Sequence, residues 1–235
     1  MTTLLRGAAL AVLFSILAST TSAPPTADEI LQRHLAAIGG SARWQAVQSL
    51  MVRGSSSYGS FTWLWKRPDK MRSEELDDIY SGKKLVTAFD GRTGWISDPF
   101  KGNPAPRRLA SAELQQWQTG FPVRSDLLDL PAKGAELKVV GREGVGGRDA
   151  WKLSLHRAGR DEVLLWIDAQ SWLLVQRARK LRTPWKSEEL IATPFGDYRN
   201  VEGLMIPHSV GSTRCFVEVN ADIADALFAP PPSLP

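Results

Sequence analysis

The feature that most constrains the fold of this chain is a set of short segments that are apolar at every position. The string VLLWI at residues 163–167 is one of them. Successive side chains of a β-strand point to opposite faces of its sheet, so such a strand carries apolar surface on both faces. Both faces must then be covered, either by packed layers or by curling of the sheet around its own contents.

Turn signals divide most of the remaining chain at intervals of about ten residues, which is typical of antiparallel meanders. Asp90-Gly91 separates two apolar runs and predicts a hairpin. Gly146-Gly147 and Gly159-Arg160 predict two more. Toward the C-terminal end, separate strands are predicted over 185–191 and 195–199. In total the pattern predicts about ten strands.

Helical signals occur at two places. Thr26 and Glu29 form a capping box ahead of an apolar stripe, and Gly39-Gly40 ends that helix. An insertion between the two sets of strands predicts a helix that begins at Ser111 and a short one over 126–130. The two prolines of 103–108 exclude a central strand there.

These elements predict an α+β, mainly β fold without internal repeats. A strongly curved, antiparallel, unclosed β-barrel would be covered by the N-terminal helix and by a helical lid from the insertion. Such a half-barrel either packs solid or leaves an apolar cavity. One domain spans residues 24–235.

The first residues predict export. Arg6 precedes an apolar run from Gly7 to Ala18 that is too short to span a bilayer, and small residues follow it. Residues 1–23 are therefore predicted to be a cleaved signal peptide. No Cys follows the run, so we expect a periplasmic protein without a lipid anchor.

Composition excludes several classes of protein. Hydrophobic residues make up 43% and charged residues 23%, which excludes dominant disorder. The net charge of +4 gives no argument for nucleic acid. The single cysteine, Cys215, permits neither an internal disulfide nor a Cys-based zinc site, and its alternating setting predicts a buried thiol. Nine tryptophans indicate broad apolar surfaces with one polar edge, as in a ligand-lined interior.

The sequence contains no strong catalytic signature. Phosphate-binding loops, zinc-protease motifs and nucleophile elbows are missing. His34 lies on the apolar stripe of the first helix, which predicts a core histidine, and His156 and His208 are distant in sequence. The acidic pairs Glu74-Glu75 and Asp77-Asp78 are interpreted as a solvated hairpin. We therefore expect no enzyme, no metal and no cofactor.

Basic residues cluster in one predicted strand. This stretch has two interpretations, a docking patch for a partner or a solvent-facing strand end. Its candidate docking residues are Arg177, Arg179, Lys180 and Arg182.

Three strings carry a resemblance to a known family. WLWKRPDKMR at residues 63–72 resembles a segment of the LolA-type lipoprotein carriers, and FDGRTGWISDPF at 89–100 is similar to the hairpin that follows it. ALFAPP at 226–231 resembles the family's closing motif. The segment 37–47 departs from the dedicated carriers and is closer to uncharacterised exported relatives.

The resemblance implies an unclosed half-barrel whose apolar interior holds acyl chains, with Arg67 holding the lid closed through hydrogen bonds. The expected function is a monomeric periplasmic carrier of lipoprotein acyl chains or other lipids. It would exchange cargo between an inner-membrane donor and an outer-membrane acceptor and touch membranes only transiently. The candidate cavity residues are Phe61, Trp63, Trp65, Trp95, Leu114, Trp117, Phe121, Leu127 and Trp166.

Two alternatives remain open on the sequence. A half-barrel that is packed solid and has an exposed apolar edge would suit a sensor or adaptor domain that binds a protein partner. An enzyme that uses His156 or His208 as an acid or base is the less favoured reading.

Overall fold

The computed structural model of the chain describes residues 23–56, 59–77, 81–101, 105–118, 123–130, 134–183, 186–232 and 234. Residues 56, 116, 129, 181–183 and 186–188 are described by their backbone alone. Almost all of the predicted signal peptide therefore lies outside the described residues. Within the described ranges, no helix is long and apolar enough to cross a membrane.

Thirteen strands form one antiparallel sheet. The strands are β1 (Ser49–Ser56), β2 (Gly59–Lys66), β3 (Lys70–Asp77), β4 (Lys83–Phe89), β5 (Gly94–Ser97), β6 (Arg107–Arg108), β7 (Ala135–Val145), β8 (Arg148–Arg157), β9 (Arg160–Asp168), β10 (Leu174–Thr183), β11 (Lys186–Val201), β12 (Leu204–Val210) and β13 (Thr213–Val219).

The sheet consists of two meanders that meet in its middle. β1 to β6 follow one another toward one edge, β13 to β7 follow one another toward the other, and β1 pairs with β13 between them. Leu50 lies opposite Val219 in that central pair. The edge strands β6 and β7 are not neighbours, so the sheet is unclosed, as predicted.

The strand count differs from the prediction of about ten, for local reasons. The chain turns between β1 and β2 without a strong two-residue turn signal, and β6 is only two residues long, at the edge of the sheet. Conversely, the two strands predicted over 185–191 and 195–199 form the single strand β11.

In the part of the chain that the structure describes, three α-helices accompany the sheet, α1 (Ala27–Ala37), α2 (Ser41–Ala46) and α3 (Ser111–Gln118). The predicted capping box is confirmed, because Thr26 Oγ1 accepts from the Glu29 amide and the Glu29 carboxylate accepts from the Thr26 amide. Short 3-10 helices follow at Asp126–Asp129 and Asp225–Leu227.

We call the face of the sheet that the three α-helices and the 126–129 helix cover its inner face. Alternate strand residues pack there against α1 and α2 in two clusters. One cluster centres on β1 and β12 and the other on β8 and β9. Apolar side chains that are at most 1% exposed on this face are Ile30, Leu50, Val52, Leu127, Leu153, Leu155, Leu165, Ile167, Leu204 and Ile206.

The outer face is covered only in part. The C-terminal segment places Ile223 and Phe228 against Leu64 of β2. A second outer cluster joins Trp166 of β9 to Val175 and Ala178 of β10 and to Ala150 of β8.

Candidate functional site

The described residues form a partly open pocket of about 360 Å³ on the inner face. It lies where β2 begins and β3 ends, next to the hairpin between β12 and β13. Its volume is within the range of small-molecule sites. The lining residues are Gly59, Ser60, Phe61, Trp63, Glu75, Leu76, Asp77, Leu85, Phe100, Val210, Thr213 and Cys215.

The strand register explains which side chains form the wall of the pocket. Phe61 lies opposite Gly54 of β1 and Glu75 of β3, and Glu75 lies opposite Leu85 of β4. These side chains therefore point to the same face. A Cβ on Gly54 would come within 2.5 Å of the Phe61 ring, so only glycine leaves room for that ring beside β1.

Two of the nine predicted cavity residues, Phe61 and Trp63, line this pocket. Trp65 and Trp117 belong to the adjoining inner cluster. Leu127 is fully buried in the other inner cluster.

The remaining predicted cavity residues lie elsewhere. A Cβ on Gly94 would meet Leu114 at 3.0 Å, which places Leu114 on the inner face beside β5. Trp95 faces outward, where its Nε1 donates to the carbonyl of Phe228 at 3.3 Å. Trp166 also faces outward, in the cluster with Val175. Phe121 lies outside the described residues.

We call α3 together with the 126–129 helix the cover, because both lie against the inner face. At its α3 end, the Trp117 and Trp63 rings stack with centroids 6.2 Å apart and planes inclined by 25°. Trp117 Nε1 also donates to the Ser73 hydroxyl at 3.2 Å. Because Trp63 also lines the pocket, this end of the cover lies at the border of the pocket.

The other end of the cover is held by a cluster of three arginines on one carboxylate. Asp126 accepts from Arg179 at 2.6 Å and from Arg177 at 3.3 Å, and Arg157 donates to its backbone carbonyl. The Asp126 side chain is 11% exposed. Burial lowers the pKa of Arg179 to about 10, and its Nε has no partner within the described ranges.

The predicted docking patch is divided by this arrangement. Arg177 and Arg179 are turned inward and hold Asp126 rather than forming an exposed patch with Lys180, which is on the surface. The side chain of Arg182 lies outside the described residues. Strict alternation would put Val175 and Arg177 on the same face of β10. A register shift between Leu174 and Gln176 instead puts Val175 on the outer face, while Arg177 faces inward.

His34 links α1 to the cover. Its Nδ1 donates to the carbonyl of Trp172 at 2.8 Å, and its Nε2 accepts from the Ser125 hydroxyl at 2.9 Å. The Ser125 Oγ in turn accepts from the Leu127 amide and caps the 126–129 helix. Burial lowers the pKa of His34 to about 4, so the ring is neutral at pH 7. The prediction of a core histidine is confirmed.

Arg67 contacts α2 rather than α3. Its Nε donates to the carbonyl of Val47 at 2.6 Å and its Nη2 to that of Trp44 at 3.3 Å. Its guanidinium also lies 5.4 Å from the centre of the Trp65 ring, and Arg124, in the segment between the two helices of the cover, lies 5.5 Å from the same ring. Trp65 thus connects Arg67 to that segment.

Glu74 and Glu75 point to opposite faces. Glu74 faces outward and binds Arg72 at 2.6 Å and Lys84 at 3.0 Å. Glu75 stands in the pocket and has no hydrogen-bond or ion-pair partner among the described residues. Water still reaches its carboxylate, but the surrounding protein desolvates it and raises its pKa.

The part of the chain that the structure describes contains no group of three or more His, Cys, Asp or Glu side chains that could hold a metal ion. Cys215 is buried, as predicted, and burial raises the pKa of its thiol to about 11.

The chain was compared with known proteins. No protein-family model matches it, and no curated protein matches it. A DUF1329 family protein from Desulfovibrio piger has a similar structure, with a TM-score of 0.52 at 12% identity over 86% of this chain and 97% of that one. A LolA superfamily protein from Nitrosomonas europaea matches with a TM-score of 0.47 at 14% identity, over 88% of this chain and 99% of that one.

A domain from Vibrio parahaemolyticus that is described as an outer membrane lipoprotein-sorting protein has a TM-score of 0.47 at 12% identity, over 85% of this chain and 94% of that one. At these identities the likeness concerns the fold alone. The chain has a half-barrel fold, with one unclosed antiparallel sheet and helices against its inner face, and the DUF1329 family protein has a similar fold.

Proposed function

We propose that this protein is a carrier of the bacterial cell envelope that shelters lipoprotein acyl chains or other lipids in the pocket of its inner face. The observation that carries the proposal is the partly open pocket of about 360 Å³ with Phe61, Trp63 and Leu85 in its wall. An acyl chain of about 14 carbons costs on the order of 10 kcal/mol to expose to water, so a carrier must cover it.

The cover acts as the lid in this proposal. It rests on the pocket through the stack of Trp117 on Trp63 and is fastened elsewhere by Asp126 and by His34. Each of these ion pairs and hydrogen bonds can break separately and be replaced by hydrogen bonds to water. A lid held by them can open for cargo without unfolding the sheet.

In this proposal the carrier is exported to the periplasm, as residues 1–23 predict. A donor at the inner membrane would load it, and an acceptor at the outer membrane would receive the cargo. Native mass spectrometry of the exported protein tests the proposal. Co-purifying lipid masses would support it. Apo protein that also fails to bind an apolar dye would reject it and favour the adaptor alternative.

Filling the pocket is expected to block cargo. Leu85→Trp adds a large ring to the pocket wall, so the affinity for the dye N-phenyl-1-naphthylamine should fall at least about tenfold, which is 1.4 kcal/mol. Val86→Trp is the matched control, because it adds the same ring to the outer face of the same strand. Fluorescence titration measures both variants. Equal loss of affinity in the two would show that the dye binds elsewhere.

Arg67 is expected to affect the lid through Trp65, whose ring also contacts Arg124 in the segment between the two helices of the cover. Arg67→Leu removes the two hydrogen bonds to the carbonyls of Trp44 and Val47 and should lower the free energy of unfolding by about 2 kcal/mol. It should also slow delivery of cargo to acceptor vesicles. Urea denaturation and a vesicle transfer assay measure the two effects. Arg67→Lys, which keeps the charge, is the control, and unchanged transfer in the Leu variant would reject the gating role.

A further inference from the structure

The pocket wall contains carboxylates that an acyl chain does not need. One of them is Glu75, which lies opposite Phe61 on one side and Leu85 on the other. Glu75 is exposed on the open side of the pocket, where the neighbouring apolar side chains reduce the hydration of its carboxylate. Among the described residues it has neither a hydrogen-bond nor an ion-pair partner, whereas the neighbouring Glu74 has two cationic partners on the outer face.

The charges around Glu75 do not neutralise it. Asp77 lines the same pocket and accepts from the Ser81 hydroxyl. Lys83 lies opposite Asp77 at the strand ends, and its Nζ is 6.0 Å from the centre of the Phe100 ring. The Cys215 thiol, on the far wall, is protonated at neutral pH. Lys83 is therefore in register with Asp77, whereas the residue of β4 in register with Glu75 is the apolar Leu85.

We propose that the pocket selects an amphipathic ligand with a positively charged ammonium group, which binds the Glu75 carboxylate while its apolar chain lies against Phe61 and Trp63. The inference rests on the proposed function, because it names the chemical class of cargo for the same pocket. An ammonium group supplies N–H donors and a positive charge to the free carboxylate, and charge-assisted hydrogen bonds are the stronger kind. A fatty acid would bring a second negative charge and is disfavoured.

Three probes of equal chain length test this preference, namely dodecylamine, dodecanol and dodecanoic acid, each below its micelle concentration at pH 7. Their affinities are measured by displacement of N-phenyl-1-naphthylamine from the full protein. The expected order is dodecylamine at least about tenfold tighter than dodecanol, with dodecanoic acid weakest. Glu75→Gln should remove the advantage of the amine and leave the affinity for dodecanol within about twofold.

Glu74→Gln is the matched control, because it removes the same charge from the next residue of the same strand but on the outer face. It should keep the order of the three probes. Loss of the preference in this variant as well would mean that the amine responds to the overall charge of the protein, which overturns the role of Glu75.

Different experimental results would overturn the carrier function and the preference for an ammonium group. If the dye and dodecanol bind but the amine has no advantage, or if Glu75→Gln keeps the advantage, the inference is overturned while the carrier function stands. If neither the dye nor any of the three probes binds, the pocket is not a lipid site and both proposals fail. Urea denaturation of Glu75→Gln should show a stability equal to or above that of the wild type, which excludes misfolding as the cause.

Discussion

Asp126→Asn is expected to lower the free energy of unfolding by about 3 kcal/mol. The substitution keeps the size of the side chain but leaves the guanidinium groups of Arg157, Arg177 and Arg179 without their carboxylate. All four side chains are at most 18% exposed, so water replaces little of the lost attraction. Urea denaturation followed by tryptophan fluorescence measures the change.

Two further variants show whether this loss comes from the buried charges. Asp161→Asn removes an exposed carboxylate from β9 and should change the stability by no more than about 0.5 kcal/mol. Adding Arg179→Met to Asp126→Asn should restore part of the stability, because one uncompensated charge is removed. An Asp126→Asn protein as stable as the wild type would contradict the role of this cluster.

The same substitution also tests the lid. Asp126 links the 126–129 helix to both β8 and β10 through ion pairs. If this contact holds the lid closed, Asp126→Asn should accelerate entry of the apolar dye in a stopped-flow experiment. An unchanged entry rate in a destabilised variant would assign Asp126 to stability alone.

Acid should weaken the protein through His34, and the effect is expected to be equally large. The pKa of the folded form is lowered from 6.5 to about 4, so below pH 6.5 the unfolded chain binds a proton that the folded protein excludes. The contribution of neutral His34 to the free energy of unfolding is therefore fully present above pH 6.5 and is lost as the pH decreases toward 4. The loss over that interval is about 3 kcal/mol.

This contribution is separated from other titrations by comparing variants. The free energy of unfolding of the wild type should fall between pH 7 and pH 4 by about 3 kcal/mol more than that of His34→Gln. His156→Gln, which replaces an exposed histidine, is the control variant. A His34→Gln protein with the same pH dependence as the wild type would show that His34 does not titrate in this interval.

Local signals in the sequence predicted the fold well where neighbouring residues determine the structure. The capping box of α1, the glycine hairpins and the exclusion of a central strand from the proline-rich segment depend on residues a few positions apart. The register shift at Val175 could not be predicted in this way. The shift depends on how β10 pairs with β9. Beyond the shift, every residue of β10 points to the face opposite to the one that alternation predicts.

The site was predicted in part for the same reason. Phe61 and Trp63 share a face because they are two residues apart, but nothing local shows that Trp95 and Trp166 face outward. Asp126 was missed because its arginines are 31 to 53 residues away along the chain. Glu75 was interpreted as part of a solvated hairpin and is exposed, but its place in the pocket wall was not predicted, although alternation with Glu74 already indicated that the two face opposite sides.

The pairing of β1 with β13 has a consequence for the folding of the protein. Leu50 and Val219 must meet at the centre of the sheet, although almost the whole polypeptide separates them. Pairings of such long range are slow to form, because the closure of a long loop opposes them. Each meander can assemble by itself, but the two become one sheet only when β13 arrives, so a polypeptide interrupted before its last strand would expose an open seam in its middle.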